Sequence, residues 1–202
     1  LAVPSWEDFD GHGGARVPPC WCALRNYDAG PAPGIQQDYR LGGTSALALY
    51  PGSLASSHYS MVIAPPVAGS GSMAGLHLRF SLMSASTAAR LVVGFCEDTG
   101  RYTRAFIPMD TLHVDRGSVW QEVVVDLGRY AGAGRRPAFA MYRGLQPDGS
   151  GMYIDDVAVE ACGTSAPRVS HVGSDRLTLH WEAYGSGTVE VRYGQHAVSP
   201  AV

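Results

Sequence analysis

The sequence contains no lysine and a single asparagine. All 15 basic residues are arginine, and Asn26 is followed by Tyr27 and Asp28, so no N-glycosylation sequon is present. Charge of either sign is scarce: charged residues make up 16% of the chain, and the net charge is -3 with a pI near 6.1. Nucleic-acid binders carry a basic face, which this balance does not provide, and that class is set aside. No apolar run approaches the ~20 residues needed to cross a bilayer. The chain opens at Leu1 without the charged and apolar regions of a signal peptide, as a mature sequence would. Nucleophile-elbow, P-loop, dinucleotide-fold and zincin motifs are also missing. "GHGG" at 11–14 and "GSGS" at 69–72 are glycine turns with no helix behind them to hold a phosphate.

What the chain does have is turn residues. With 25 Gly and 13 Pro, about a fifth of the sequence is punctuation, against an average near ~12%. Between these turns, β-branched and aromatic runs recur every ten to fifteen residues, and no segment carries an amphipathic helix of three turns. Strands are expected at 3–10, 20–26, 45–50, 59–64, 76–83, 90–97, 102–107, 119–127, 137–143 and 152–161. In "GLHLRFSLM", Leu76, Leu78, Phe80 and Leu82 share one face and His77, Arg79 and Ser81 the other, the mark of a half-buried antiparallel strand. "ARLVVGFCE" and "QEVVVDL" are more continuously apolar, as central strands are. Short antiparallel strands joined by long connections favour an all-β, two-sheet jelly-roll sandwich. Trp6, Trp21 and Trp120 sit in strand motifs and are expected in the core; Tyr27, Tyr39, Tyr50, Tyr59 and Tyr102 lie in or beside loops, and no ligand contact is assigned to any one of them.

A boundary is expected after Cys162, where Gly163, Ser165 and Pro167 form a short linker. Beyond it, Val169, then Leu177, Leu179 and Trp181, then Val189, Val191 and Tyr193 mark three further strands. Three strands fall short of the ~7 that close a sandwich, so this second domain is expected to be incomplete.

The order of motifs is similar to a known one. "SWEDFD" at 5–10, "PPCW" at 18–21, "GGTSALAL" at 42–49, "SMVIAPPV" at 60–67, then "LHLRFSL", "LVVGFCED", "FIPMDTL", "VWQEVVVDLGRYAG" and "GMYIDDVAVEAC" resemble the bacterial choice-of-anchor J and cleaved-adhesin domains, themselves similar to MAM domains. The likeness covers residues 1–162. Residues 166–202 resemble the first half of a fibronectin type III domain, with Trp181 in the place of that fold's core tryptophan. The resemblance implies a secreted or surface-attached jelly-roll module that binds a host or cell-surface protein or a glycan; it does not imply catalysis, and no enzyme activity is expected. A carbohydrate-binding module of a larger glycan-degrading protein is the alternative.

Acids are concentrated at the two ends of this first domain: Glu7, Asp8 and Asp10 in the opening strand, Asp155 and Asp156 in the closing one. Jelly rolls bring these strands together, and carboxylates that meet repel at ~4 kcal/mol per close pair at an effective dielectric near 20. A Ca²⁺ ion, which takes six to eight oxygens, resolves the conflict. Related jelly rolls carry a structural Ca²⁺ near these strands, which implies Asp8, Asp10 and Asp156 as ligands here. Glu7 and Asp155 are further candidates, and the Gly43, Thr44, Ser45 turn would add a carbonyl or hydroxyl oxygen. Alternation turns Phe9 to the core with Asp8 and Asp10 opposite, and sets Ile154 and Val157 on opposite faces. Solvated edge charges or a pair of glycosidase acids are the competing readings of the same residues.

Four cysteines, Cys20, Cys22, Cys96 and Cys162, suit one or two disulfides in an oxidising compartment better than a zinc site, since the C-x-C pair lacks a second pair at ligand spacing. A Cys20–Cys162 bond would tie the ends of the first domain together and contribute about 4–5 kcal/mol. Cys22 with Cys96 is the remaining pairing, and a buried thiol at Cys96 its alternative.

Overall fold

Strand β6 (Leu76–Ser84) shows how the pattern becomes structure. Leu78, Phe80 and Leu82 are fully buried while His77 and Arg79 are partly exposed, as the period of two requires. The computed structural model describes residues 5–12, 16–28, 30–52, 55–68, 73–97, 106–146, 148–161, 168–172 and 177–180. The chain divides into two compact units, Leu1–Ala161 and Cys162–Val202.

The first unit contains, beside β6, strands β1 (Ser5–Glu7), β2 (Cys22–Arg25), β3 (Gly34–Gln36), β4 (Ala46–Leu49), β5 (Tyr59–Ile63), β7 (Leu91–Cys96), β8 (Phe106–Leu112), β9 (Gln121–Asp126), β10 (Arg136–Tyr142) and β11 (Met152–Ala161). They build two antiparallel sheets. One runs β3-β4-β11-β6-β9 with β1 added on β11; the other runs β2-β5-β10-β7-β8. The helical residues described are two single 3₁₀ turns, Leu127–Arg129 and Arg143–Leu145. The expected all-β sandwich is what the chain forms.

Between the sheets lies the main core. Phe80 of β6 meets Phe139 of β10 edge to face with ring centroids 5.2 Å apart, and Phe9 meets Trp21 in the same way at 5.4 Å. Each such pair adds about 0.5–1.5 kcal/mol to the burial of its rings. The outward face of the five-stranded sheet is also apolar and closed: Met61, Ile63, Val92, Cys96, Ala138 and Ala140 are at most 5% exposed. Tyr59 and Tyr142, with ring centroids 6.0 Å apart, flank this second cluster.

Several expectations are corrected. The three-residue β3 has too little alternation to be seen in sequence. Strand β8, expected at 102–107, continues to Leu112 through Pro108, which an edge strand tolerates because its outer N–H groups pair with nothing in the sheet. "QEVVVDL" forms not a central strand but the edge strand β9, with Val124 47% exposed. Cys22 and Cys96 do not pair: β5 and β10 lie between their strands, a separation of about 14 Å at ~4.8 Å per strand, twice what a disulfide spans. Burial instead pushes the Cys96 thiol up to about 11, with Cys22 adding to the shift. Cys20 is an exposed thiol, and its expected partner Cys162 lies outside the described residues.

In the second unit, β12 (Arg168–Val172) and β13 (Leu177–His180) pair antiparallel. Trp181, the strand expected through Val189, Val191 and Tyr193, and the linker residues Gly163, Ser165 and Pro167 lie outside the described residues, as does Tyr102.

Candidate functional site

One edge of β11 is shared between two shorter strands. β6 covers the other edge over most of the strand's length, while β4 pairs with Met152–Ile154 and β1 with Val157–Val159. The residues left between are Asp155 and Asp156. A bulge sits there: the register against β6 passes from Asp155 opposite Ser81 to Ala158 opposite Arg79, one residue more on β11 than on β6. Asp156 takes the left-handed conformation, φ 52°. The extra residue shifts the alternation, so Ile154 and Val157 both enter the core rather than facing opposite ways.

Two other segments end at the same gap. After β1 the chain turns through Phe9, also left-handed at φ 59°, which sends the fully buried ring into the core and leaves Asp8 and Asp10 on the far side. The loop leading into β4 arrives from the opposite direction and is fastened to Asp10. The Oδ1 of Asp10 accepts from Thr44 N at 2.6 Å, from Ser45 N at 3.0 Å and from the Thr44 hydroxyl at 3.1 Å. Donation by the Thr44 amide holds the Asp10 carboxyl below the usual carboxylate range, against the opposing effect of desolvation. Gly43 is required for this approach, with φ 54° and space for a Cβ only 1.6 Å from Asp10 Oδ2.

Asp155 fastens the same loop from below. It is 3% exposed, and its Oδ2 accepts from Leu41 N at 3.1 Å while its Oδ1 accepts from Asp156 N at 2.8 Å. Burial pushes its carboxyl up to about 7; the two amide donors pull it down, and the nearby Asp156 and Asp10 push it further up. Trp6, Asp8, Asp10, Gly42, Gly43, Asp155 and Asp156 line a cavity of about 140 Å³, the room of roughly four or five waters at ~30 Å³ each.

Of the expected ligands, Asp8, Asp10, Asp155 and Asp156 therefore share one cavity, and Glu7 does not line it. Glu7 accepts from Phe9 N at 2.9 Å and lies 3.6 Å from His12 Nε2, while the Thr44 hydroxyl is committed to Asp10. The donors are all oxygen, the chemistry Ca²⁺ takes. As placed, no three His, Cys, Asp or Glu side chains among the described residues converge as metal ligands, because Asp8 Oδ1 is turned to Asp10 N at 3.0 Å and Asp10 to the loop amides.

Sequence reasoning misplaced Trp6. It is 59% exposed, on the outer face of the six-stranded sheet beside Ala158, whereas Trp21 is buried as expected. On the same face, Tyr39 is 44% exposed and its ring lies on that of Tyr153, centroids 4.5 Å apart. Tyr153 in turn hydrogen-bonds Tyr50, and burial raises the phenol of each above its ordinary value. Leu41, between them in the loop, is 44% exposed. Tyr27, by contrast, is buried, its hydroxyl donating to Pro31 O and Tyr50 O, each at 3.0 Å.

No protein-family model matches the chain, and no curated protein matches it in sequence. Solved structures do resemble its fold. The K2 cleaved adhesin domain of Lys-gingipain superposes with a TM-score of 0.61 at 15% identity, over 78% of this chain and 99% of that one. The K1 cleaved adhesin domain of the same protein, from Porphyromonas gingivalis W83, gives 0.56 at 18% identity over 80% and 99%. A xylan-binding domain of carbohydrate-binding module family 22 gives 0.51 at 14% identity over 80% and 96%.

Proposed function

We propose that this chain is a secreted or cell-surface binding module, an adhesin-type jelly roll that contacts a protein or glycan and whose strand ends are clasped by a structural Ca²⁺. The observation that carries the clasp is the meeting of Asp8, Asp10, Asp155 and Asp156 in one cavity of about 140 Å³. Four carboxylates with that little water between them are held apart at a cost a divalent cation removes. Asp8, Asp10 and Asp156 would hold the ion, with Asp155 behind them and the Gly43 carbonyl as a further oxygen; Asp8 and Asp10 would turn from their amide partners to reach it. The same volume argues against glycosidase acids, since those flank a bound sugar ring and the water beside it. The likeness of fold to cleaved adhesin domains and to carbohydrate-binding modules supports a binding role, and the second unit is read as the start of a fibronectin type III-like domain.

Thermal unfolding with and without chelator tests the clasp. Chelation lowers the melting temperature of the native chain, and Asp156→Ala removes that response; a native chain indifferent to chelator refutes the calcium site. Binding of the labelled chain to intact cells, with and without prior glycosidase or protease treatment of their surface, tests the role. Absence of saturable binding to any cell or polysaccharide refutes it.

A further inference from the structure

Seven large apolar side chains are exposed among the described residues; two of them, Trp6 and Tyr39, lie on the outer face of the six-stranded sheet, and a third, Leu41, belongs to the loop whose backbone is held by Asp155. Trp6 stands beside Ala158 of β11 and Tyr39 lies on Tyr153 of the same strand. Four residues of β11 lie between those two anchor positions, and the five steps place the anchors on the order of 15 Å apart along the strand at ~3.3 Å per residue. Leu41 and the acid-lined cavity fall between them. Tyr39 is held from beneath by Tyr153, and the Gln36 side chain closes its loop by accepting from Asp38 N at 2.6 Å and Tyr39 N at 2.9 Å. The ring is therefore presented by a built loop and is not a loose side chain. The outward face of the other sheet, where Met61, Ile63 and Cys96 are at most 1% exposed, offers no comparable row.

We infer that this strip binds an uncharged polysaccharide chain, whose sugar rings stack on Trp6 and Tyr39 and whose hydroxyls donate to the carboxylates between them. The inference rests on the binding-module reading and adds a site and a ligand class to it. Its support is the alternation of chemistry along the strip. A protein partner forms its tightest contacts through a desolvated apolar centre from which charge is depleted, and here the centre holds Asp8, Asp10 and Asp156. A sugar chain has both parts that the strip needs: apolar C–H faces for the two aromatic rings and hydroxyl donors for the acids, which stay hydrated at their outer side. Asp8, Asp10 and Asp156 carry three negative charges against the two of a bound Ca²⁺, so the centre of the strip stays net negative and repels uronate or sulfate, which confines the ligand to neutral chains.

The test uses the whole chain in calcium buffer. Affinity electrophoresis is run in gels containing soluble xylan, mixed-linkage β-glucan or galactomannan, with calorimetry on the hexasaccharide of whichever retards it. The variants are Trp6→Ala, Tyr39→Ala, the double substitution, and Leu145→Ala, an exposed apolar residue outside the strip. Retardation by at least one neutral polysaccharide is expected, about tenfold weaker in each single variant, lost in the double variant and unchanged in Leu145→Ala. A second readout accompanies it: the saccharide protects part of the tryptophan emission from acrylamide quenching in the native chain, and that protection is absent in Trp6→Ala. A double variant that is folded and retarded like the native chain overturns the strip while leaving the binding-module reading in place. A native chain that ignores all three polysaccharides but binds an oligo-arginine peptide overturns the glycan assignment in favour of a basic protein segment. A native chain that binds none of the probes overturns the strip as well, and cell binding then decides the wider reading separately.

Discussion

Replacing Asp155 by Asn should turn a pH-dependent protein into a nearly pH-independent one, at least at this position. The Asp155 carboxyl is raised to about 7 by burial, from about 3.9 in an unfolded chain. Between these values the folded state holds a proton that the unfolded state has released, so stability falls as pH rises from about 4 to 7 and is level above that. Three units at about 1.4 kcal/mol each give a loss of up to about 4 kcal/mol, or roughly 10 °C in melting temperature for a chain of this size. Asn has the same shape, keeps a carbonyl oxygen for Leu41 N or Asp156 N, and carries no charge to bury. Melting curves of native and Asp155→Asn protein are compared from pH 4 to 8 in excess chelator. The two should coincide near pH 4 and separate by about 10 °C at pH 8, the variant being the more stable. Added Ca²⁺ should close that gap at pH 8, because coordination to the cation offsets the cost of burying ionised carboxylates. Parallel curves across the whole range would refute the account of a buried, uncompensated carboxyl.

Gly43→Ala should cost about 2–4 kcal/mol in urea unfolding, from its left-handed backbone and from displacement of the Asp10 carboxylate that satisfies the Thr44 and Ser45 amides; an unchanged midpoint would show that the loop re-forms without that anchor. Arg79 bridges Glu160, which is 6% exposed, and Glu122 at 3.3 Å. Arg79→Met should therefore lose about 3–5 kcal/mol by stranding a buried carboxylate, and adding Glu160→Leu should recover most of it, both read from equilibrium urea denaturation.

The architecture was legible wherever alternation was strong. Leu76 to Leu82 declared a face, and the buried run from Leu91 to Cys96 is indeed an interior strand, flanked by β10 and β8. Continuity of apolar residues was a weaker guide than alternation: it placed Leu91–Cys96 correctly, but Val123, Val124 and Val125 gave the same central-strand pattern to an edge strand. The pairing of the first strand with the last was expected from the jelly-roll architecture, and it brings the acids at 8–10 and 155–156 to one place.

The bulge was not legible. A run such as Ile154-Asp155-Asp156-Val157 reads as simple alternation with one residue on each face, and only the split of the β11 edge between β4 and β1 makes room for an extra residue there. That split explains why two aspartates stand side by side in a strand. Asp155 points outward beneath the Leu41 loop and holds it, while Asp156 occupies the left-handed step that restores the core register, a conformation Asp tolerates better than the β-formers around it. Trp6 was misplaced for a different reason, and the signal that would have corrected it was present. Once Phe9 is assigned to the core, the period of two sets Asp8 and Trp6 together on the other side, and the opening strand becomes one surface of ring and carboxylates. The residue identity, a tryptophan in a strand motif, outweighed the parity of its position; parity was the stronger physical constraint.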